Sequence, residues 1–339
     1  MRTKLIMLLT VFVAVIIFCG VASAATVNTN HIAKVKLSNS VTNVDQFEPV
    51  ADGKIVVWTQ GDPTIHTSIY YKDLVTGLSH KLLSSNQDQS KPSISGSNIV
   101  WQQENSKGQI CIYYKNIVTG KYGRVSNSKL NQASPDISGN IIVWEQDTFN
   151  GTSIYYKNLK TGTIGIVKKS DEGQFEPVTN GKMIVWTQYD IKGYSLVYYK
   201  DLATGISNKV LNTHEFQFNP AIDNNHIVWV QTESGNSNIY YKDLKTGKVS
   251  VMLKSKNSQF LPSIKDNIVA WQQYESNGKS NIYYKNLLTG TINIISQFNE
   301  SNEPAISGKN ILWTQITNSN QYSTYMKNIV TGIISKITT

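Results

Sequence analysis

Residues 89–120 read QSKPSISGSNIVWQQENSKGQICIYYKNIVTG, and close variants of this unit recur along the chain. Gly96 and the pair Thr119-Gly120 divide the unit into short apolar segments, Pro-x-Ile, Ile-Val-Trp and Ile-Tyr-Tyr-Lys. Runs of β-branched and aromatic residues bounded by glycine turns are typical of strands. The unit therefore predicts short antiparallel strands joined by tight turns.

The unit repeats seven times at an almost constant interval. Successive tryptophans are 42 or 43 residues apart, and seven of the eight prolines and seven Thr-Gly pairs keep the same interval. Another short apolar-polar stretch follows each Thr-Gly pair, so each unit contains four strands, as a propeller blade does. We therefore predict an all-β, seven-bladed β-propeller with four antiparallel strands per blade, forming a single domain over residues 25–339. The tryptophans are Trp58, Trp101, Trp144, Trp186, Trp229, Trp271 and Trp313.

Residues 1–24 have the pattern of a signal peptide. Arg2 and Lys4 precede an apolar run from Leu5 to Cys19, and residues 22–24 (Ala-Ser-Ala) are a typical cleavage site. Cleavage predicts a secreted or cell-surface protein, periplasmic in a diderm bacterium, with no stable membrane span. The alternative is an uncleaved membrane anchor, because the segment is almost long enough to span a bilayer.

Charge and motif content argue against several classes of partner. The net charge of +9 falls to +7 without Arg2 and Lys4, and the positive charge forms no cluster. Nucleic acid is therefore not an expected partner. The five histidines fall at different positions of the repeat without metal-ligand spacing, and no nucleophile or cofactor motif is present. We expect no catalytic residues, no metal and no cofactor.

The unit resembles the TolB-type, WD-like propeller repeat of bacterial and archaeal envelope and extracellular proteins. The resemblance lies in residues 92–96 (PSISG), 99–101 (IVW) and 112–120 (IYYKNIVTG), and it recurs from about residue 46 to 337. It implies the propeller fold and a place outside the cytoplasm, as in archaeal surface-layer-type proteins. It does not determine a function, because one fold can host many functions.

The regular loop lengths favour a binding ring over an enzyme. Enzymatic propellers generally have long, dissimilar loops around one asymmetric site, whereas these loops differ by only a few residues. We interpret the chain as a non-catalytic protein that binds a cell-envelope glycan or another surface protein at one mouth of the ring. The alternative is a polysaccharide-active lyase or glycosidase that uses recurring carboxylates such as Glu48, Glu176 and Glu303.

The predicted binding site combines amides and aromatic rings near one mouth. A uniform antiparallel register with Asp52 opposite Ile55 places Phe47 opposite Gln60. Amides donate and accept as sugar hydroxyls and peptide groups require, and aromatic faces stack on glycans or extended peptides. An alternative assigns the glutamines to structure, because residues repeated in every blade usually hold blades together. The predicted ligand-binding residues are Gln46, Phe47, Gln60, Gln103, Gln146, Phe175, Gln188, Tyr189, Phe218, Gln231, Phe260, Gln273, Tyr274 and Gln315.

Two further features of the repeat leave alternatives open. A lysine occurs in the third strand of every unit, just before the Thr-Gly turn. These lysines form either a basic ring for an anionic polymer or a solvated rim. Residues 33–38 and 333–337 both have the pattern of a fourth strand. One of them is expected to complete the last blade, and the other to be an extra edge strand or loosely held.

Overall fold

The computed structural model describes residues 35–36, 44–62, 66–295, 300–319 and 321–337. These ranges are all-β and form seven sheets, which are the seven predicted blades. Within them, no helix has the length and hydrophobicity needed to cross a membrane. The predicted signal peptide, residues 1–24, lies outside the described residues and stays a prediction.

The strands are numbered in chain order. Strand β1 is Val35–Lys36. Blade 1 contains β2 (Asp45–Asp52), β3 (Ile55–Asp62), β4 (His66–Asp73) and β5 (Ser79–Lys81). Blade 2 contains β6 (Gln89–Ser95), β7 (Asn98–Glu104), β8 (Ile110–Asn116) and β9 (Tyr122–Arg124). Blade 3 contains β10 (Gln132–Ser138), β11 (Ile141–Thr148), β12 (Gly151–Asn158) and β13 (Ile164–Ile166). Blade 4 contains β14 (Gln174–Thr179), β15 (Met183–Tyr189), β16 (Ser195–Asp201) and β17 (Ser207–Lys209).

The remaining three blades follow the same order. Blade 5 contains β18 (Phe216–Asp223), β19 (His226–Glu233), β20 (Asn236–Asp243) and β21 (Val249–Val251). Blade 6 contains β22 (Gln259–Lys265), β23 (Ile268–Tyr274), β24 (Ser280–Asn286) and β25 (Ile292–Ile294). Blade 7 contains β26 (Ser301–Ser307), β27 (Asn310–Ile316), β28 (Tyr322–Asn328) and β29 (Ile334–Lys336).

Each blade is a meander in which consecutive strands are neighbours. Its two hairpin turns lie at the same end of the sheet, as the hydrogen bond from Leu74 N to Lys54 O (2.8 Å) shows in blade 1. We call this end of the ring the turn face. The loops between second and third strands and the linkers between blades lie at the opposite end, which we call the loop face. There, for example, Tyr189 N donates to Gly173 O at 3.1 Å.

The core lies between neighbouring blades. Trp101 of blade 2 is fully buried and shares a cluster with Ile69 and Leu82 of blade 1. Its indole stacks on Tyr113 with ring centroids 5.9 Å apart. Because each blade buries one such tryptophan against the preceding blade, removing one indole is expected to cost about 3–5 kcal/mol.

The C-terminal strand completes blade 7. The sheet order of this blade is β1-β29-β28-β27-β26, and β1 pairs in parallel with β29 at the outer edge. This arrangement confirms that one terminal segment finishes the blade and that the other is an extra edge strand. The ring closes through side chains, because Trp58 of blade 1 packs with Leu312 and Ile337 of blade 7.

The third-strand lysines connect blades, which neither alternative for them anticipated. Lys115 Nζ donates to Leu82 O at 2.6 Å, and Lys285 Nζ donates to Met252 O at 2.8 Å. The same contact joins Lys157, Lys200 and Lys242 to the preceding blade. Burial lowers the pKa of Lys285, as expected for an ammonium group among apolar side chains.

Candidate functional site

The glutamines predicted at the mouth lie inside the blades, in pairs. In blade 1, Gln46 Nε2 donates to Gln60 Oε1 at 3.2 Å, and the Trp58 indole donates to the same oxygen at 2.9 Å. Blades 2 to 6 contain the same glutamine pair. In blades 1 to 6, the glutamine two residues after the tryptophan therefore accepts a hydrogen bond from the first-strand glutamine of its own blade.

The first strand of each blade is its inner strand, which contacts the first strands of the neighbouring blades. In blades 1 to 6 the glutamine of this strand also joins its blade to the one before it. Gln174 Oε1 accepts the backbone N–H of Ile154, in the third strand of blade 3, at 3.0 Å. At ring closure Gln46 Oε1 accepts the N–H of Thr324 at 3.0 Å. The equivalent bonds run from Ile69 N to Gln89, Ile112 N to Gln132, Val197 N to Gln217 and Ile239 N to Gln259. These are the amide-to-backbone bonds that the structural alternative requires.

Burial separates the predicted glutamines from solvent. Of the eight, all but Gln315 are at most 8% exposed, namely Gln46, Gln60, Gln103, Gln146, Gln188, Gln231 and Gln273. Gln315 is half-buried, and the residue paired with it is Ser301, where the other blades have glutamine. Ligand binding by these amides stays a prediction, while their observed contacts are with the protein itself.

The first hairpin departs from the predicted register at the loop face. Gln46 lies opposite Gln60, and Phe47 lies opposite Thr59. The predicted pairing of Phe47 with Gln60 was therefore wrong. The cause is a β-bulge at Glu48, whose φ of 52° is in the left-handed region that non-glycine residues seldom adopt. The same register shift occurs in every blade.

The predicted aromatic residues cluster on the loop face of blades 4 to 6. Phe175 meets Tyr189 edge-on with ring centroids 5.6 Å apart, and Phe260 meets Tyr274 in the same way at 5.8 Å. Phe218 stacks on Phe260 across the seam between blades 5 and 6, at 6.4 Å. Tyr189 is 45% exposed and the other four rings are half-buried. We call these five residues the aromatic arc.

Phe47 belongs to a separate contact. Its ring lies 5.3 Å from the ring of Tyr322, across the seam between blades 7 and 1. Blades 2 and 3 have Ser90 and Ala133 at the position of Phe47. The aromatic surface of the loop face is therefore asymmetric, although the backbone repeats.

Three residues that the sequence reasoning missed extend this surface. The Tyr194 ring lies 5.5 Å from Phe216 and 5.9 Å from His214. Tyr194 is in a loop of blade 4, whereas His214 and Phe216 lead into blade 5, and Phe216 is 46% exposed. The available signal was the linker sequence Thr-His-Glu-Phe, since the other described linkers have no aromatic residue before the glutamine.

The inner strands contact one another around the ring, and the residue before proline in each strand has a left-handed backbone. Carboxylates accept several of the N–H groups at these bulges. Glu48 N donates to Glu303 Oε2, and Lys91 N donates to Glu48 Oε2, both at 2.7 Å. Glu176 Oε2 accepts the N–H of Asn219 at 2.7 Å. These carboxyl groups therefore join neighbouring blades.

Charge at the centre of the ring is dominated by acidic groups around one lysine. Lys91 Nζ lies 3.1 Å from Glu48 Oε1. Burial alone would lower the pKa of Lys91, but Glu48, Glu303 and Glu145 outweigh it and raise that pKa. Burial raises the pKa of Glu303, and the neighbouring Glu48 raises it further. Among the described residues, no group of three or more His, Cys, Asp or Glu side chains is arranged to hold a metal ion.

A polar cavity of about 380 Å³ opens at the other end of the ring, on the turn face. Asp223, Lys265 and Asn180 are among the residues that line it, and Lys265 Nζ lies 3.2 Å from Asp223 Oδ1. Asp223 also accepts the backbone N–H of Asp266 in the next blade at 2.8 Å. The aromatic arc and this cavity therefore lie at opposite ends.

The chain shares its fold with solved propellers. The β-propeller domain of the Trilobed protease from Pyrococcus furiosus, described as having an open velcro topology, matches with a TM-score of 0.71 and 16% identity, over 87% of this chain and 98% of that one. A puromycin-hydrolysing peptidase of Mycobacterium tuberculosis matches with a TM-score of 0.70 and 13% identity, over 87% of this chain and 53% of the peptidase. The chain thus spans about half the length of that peptidase.

TolB from Acinetobacter baumannii is also similar, with a TM-score of 0.55 and 20% identity, over 74% of this chain and 66% of that one. These similarities show the propeller fold. The TM-scores of the protease and peptidase matches are higher than that of TolB. No model of a known protein family matches the chain, and no curated protein sequence does so.

Proposed function

We propose that this chain is a non-catalytic propeller of the cell exterior that binds an envelope glycan or another surface protein on the loop face of blades 4 to 6. The observation that carries the proposal is the aromatic arc, which includes an exposed ring, Tyr189, and breaks the symmetry of the repeat. Aromatic rings on one side of a mouth provide a stacking surface for sugar rings or an extended peptide.

The similarity to TolB supports a location outside the cytoplasm. The match to the Trilobed protease is to its β-propeller domain. In this chain the half-buried carboxyl groups near the mouth accept hydrogen bonds from neighbouring blades, as Glu176 does from Asn219. The proposal therefore assigns these carboxylates to the scaffold and the aromatic arc to the ligand.

A glycan array and a pull-down of envelope material test the proposal with the double variant Phe175→Ala and Tyr189→Ala. These rings contact each other, whereas Phe218 also packs on a hydrophobic core and its loss would destabilise the blades. We expect about a tenfold or greater loss of ligand affinity with a small change in melting temperature, because stacking rings often contribute strongly to binding.

The matched control is Tyr122→Ala, which removes an exposed aromatic residue from the turn face. It should leave ligand binding unchanged. Equal binding by the double variant and the native protein would refute the aromatic arc as the site. Steady release of reducing ends or unsaturated sugars from a polysaccharide by the native protein would instead favour the catalytic alternative.

A further inference from the structure

The turn face has an apolar rim on four neighbouring blades. It consists of Val75 and Leu78 of blade 1, Val118 of blade 2, Leu288 of blade 6, and Val330 and Ile333 of blade 7. These six side chains are between 52% and 78% exposed. The tips of the equivalent turns in blades 3, 4 and 5 are Lys160, Ala203 and Lys245, although Ile206 of blade 4, at the position of Leu78 and Ile333, is 59% exposed. Clustered exposed hydrophobic residues, unlike scattered ones, indicate an interaction surface.

The fold does not require hydrophobic residues at these tips. In blade 1 the turn is held by Asp73 Oδ1, which accepts the N–H of Val75 at 2.8 Å. In blade 3 the same turn is held by Asn158 Oδ1, which accepts the N–H of Lys160 at 2.9 Å. Lysine and valine therefore form the same turn, and the exposed valines and leucine need an explanation other than folding.

The position of β1 shows on which face of the ring the first described strand begins. This strand runs parallel to β29, which begins directly after the Gly332 turn, so the N-terminal end of β1 is at the turn face of blade 7. The chain before it contains the apolar run from Leu5 to Cys19. Strand β1 therefore begins on the side of the rim.

Charge on the same face points to acidic lipid. Lys121 and Lys309 are exposed at the turns of blades 2 and 7, beside the apolar tips, and Lys54 at the turn of blade 1 is exposed but pairs with Asp73 at 3.5 Å. Apolar side chains flanked by lysines favour the interface of an anionic bilayer, where the former enter the headgroup region and the latter meet lipid phosphates. We propose that the apolar rim docks on the surface of an anionic lipid bilayer, with the loop face turned away from the membrane. This inference does not depend on the ligand proposed for the aromatic arc.

Vesicle flotation tests the proposal, with vesicles of phosphatidylcholine alone or mixed with phosphatidylglycerol. The chain from Ala25 onward is used, because every described strand and every described core residue lies after that position. The test variant combines Val75→Ser with Val330→Ser on adjacent blades of the rim. The matched control combines Ile164→Ser with Ile206→Ser, two exposed isoleucines on adjacent blades of the opposite arc.

The native chain should float with the mixed vesicles, and the rim variant should bind them about tenfold more weakly because it loses apolar surface from the lipid contact. The control should bind within about twofold of the native chain, since it leaves the rim intact. Both variants should melt as the native chain does. Absence of native binding to mixed vesicles, or equal binding by both variants, would overturn the proposal. So would a native dimer that the rim substitutions dissociate, because the rim would then face a second copy.

Discussion

Replacing Gln174 by leucine should weaken the seam between blades 3 and 4. The glutamine is fully buried and makes three hydrogen bonds. Its Oε1 accepts the N–H of Ile154 at 3.0 Å, and its Nε2 donates to Gln188 Oε1 and Lys168 O, each at 3.1 Å. Leucine fills a similar volume but makes none of these bonds, so the effect isolates the amide from a change in packing.

The expected loss of unfolding free energy follows from the hydrogen bonds that leucine cannot make. Three hydrogen bonds contribute about 1 kcal/mol each, and the N–H of Ile154 would stay buried without its acceptor, so the loss should be about 3–5 kcal/mol of unfolding free energy. Equilibrium unfolding in urea measures it. The control is Gln87→Leu, the same change at a half-buried residue of a linker, which should cost less than about 0.5 kcal/mol.

A double-mutant cycle with Gln188→Leu sharpens the test. Because the two amides share a bond, their combined loss should be smaller than the sum of the single losses by about 0.5–2 kcal/mol. A loss below about 1 kcal/mol for Gln174→Leu would refute the structural role assigned to this amide. Its side chain would then be a candidate for the ligand contact that the sequence pattern suggested.

Two further predictions concern charge and ring closure. Glu303→Gln should stabilise the protein more at pH 7 than at pH 4. The raised pKa of Glu303 means that the fold favours its protonated form over its ionised form. The stability that Glu303 contributes is therefore present below its unfolded pKa and is lost as the pH rises through its folded pKa, whereas glutamine stays neutral at both pH values. Unfolding in urea at both pH values measures this, and an equal effect at both would contradict it. Deleting residues 26–38 should lower the melting temperature by only a few degrees, because blade 7 keeps four strands without β1. A drop that abolishes cooperative melting would show that β1 is essential to closure.

The fold could be predicted almost completely from the repeat. Trp101 and the Thr119-Gly120 turn each mark a fixed point in a blade, and six further copies leave little freedom in the number of strands. The register at Glu48 could not be predicted in this way. The spacing of the repeated residues indicates where each strand lies in the sequence, whereas a bulge depends on one residue adopting a left-handed backbone.

The candidate site was less predictable because it depends on contacts between units. The contact of Phe175 with Tyr189 lies within one blade, between its first two strands. The group of Tyr194, His214 and Phe216 combines a loop of blade 4 with the linker into blade 5. A comparison of equivalent positions in the repeat does not bring these residues together, since each is an exception to its own unit.

Residues that recur in every unit and residues that differ between units have different roles in this ring. The recurring amides and lysines are occupied at the seams, as the bonds of Gln174 to Ile154 and of Lys115 to Leu82 show. A side chain that joins blades repeatedly around the ring has little capacity left to distinguish a ligand. Recognition must therefore come from positions where the repeat varies, and two such sets stand out, the aromatic arc on blades 4 to 6 and the apolar rim on blades 6, 7, 1 and 2. Because they lie on opposite faces, docking of the rim on a membrane would leave the aromatic arc open to a ligand outside the cell.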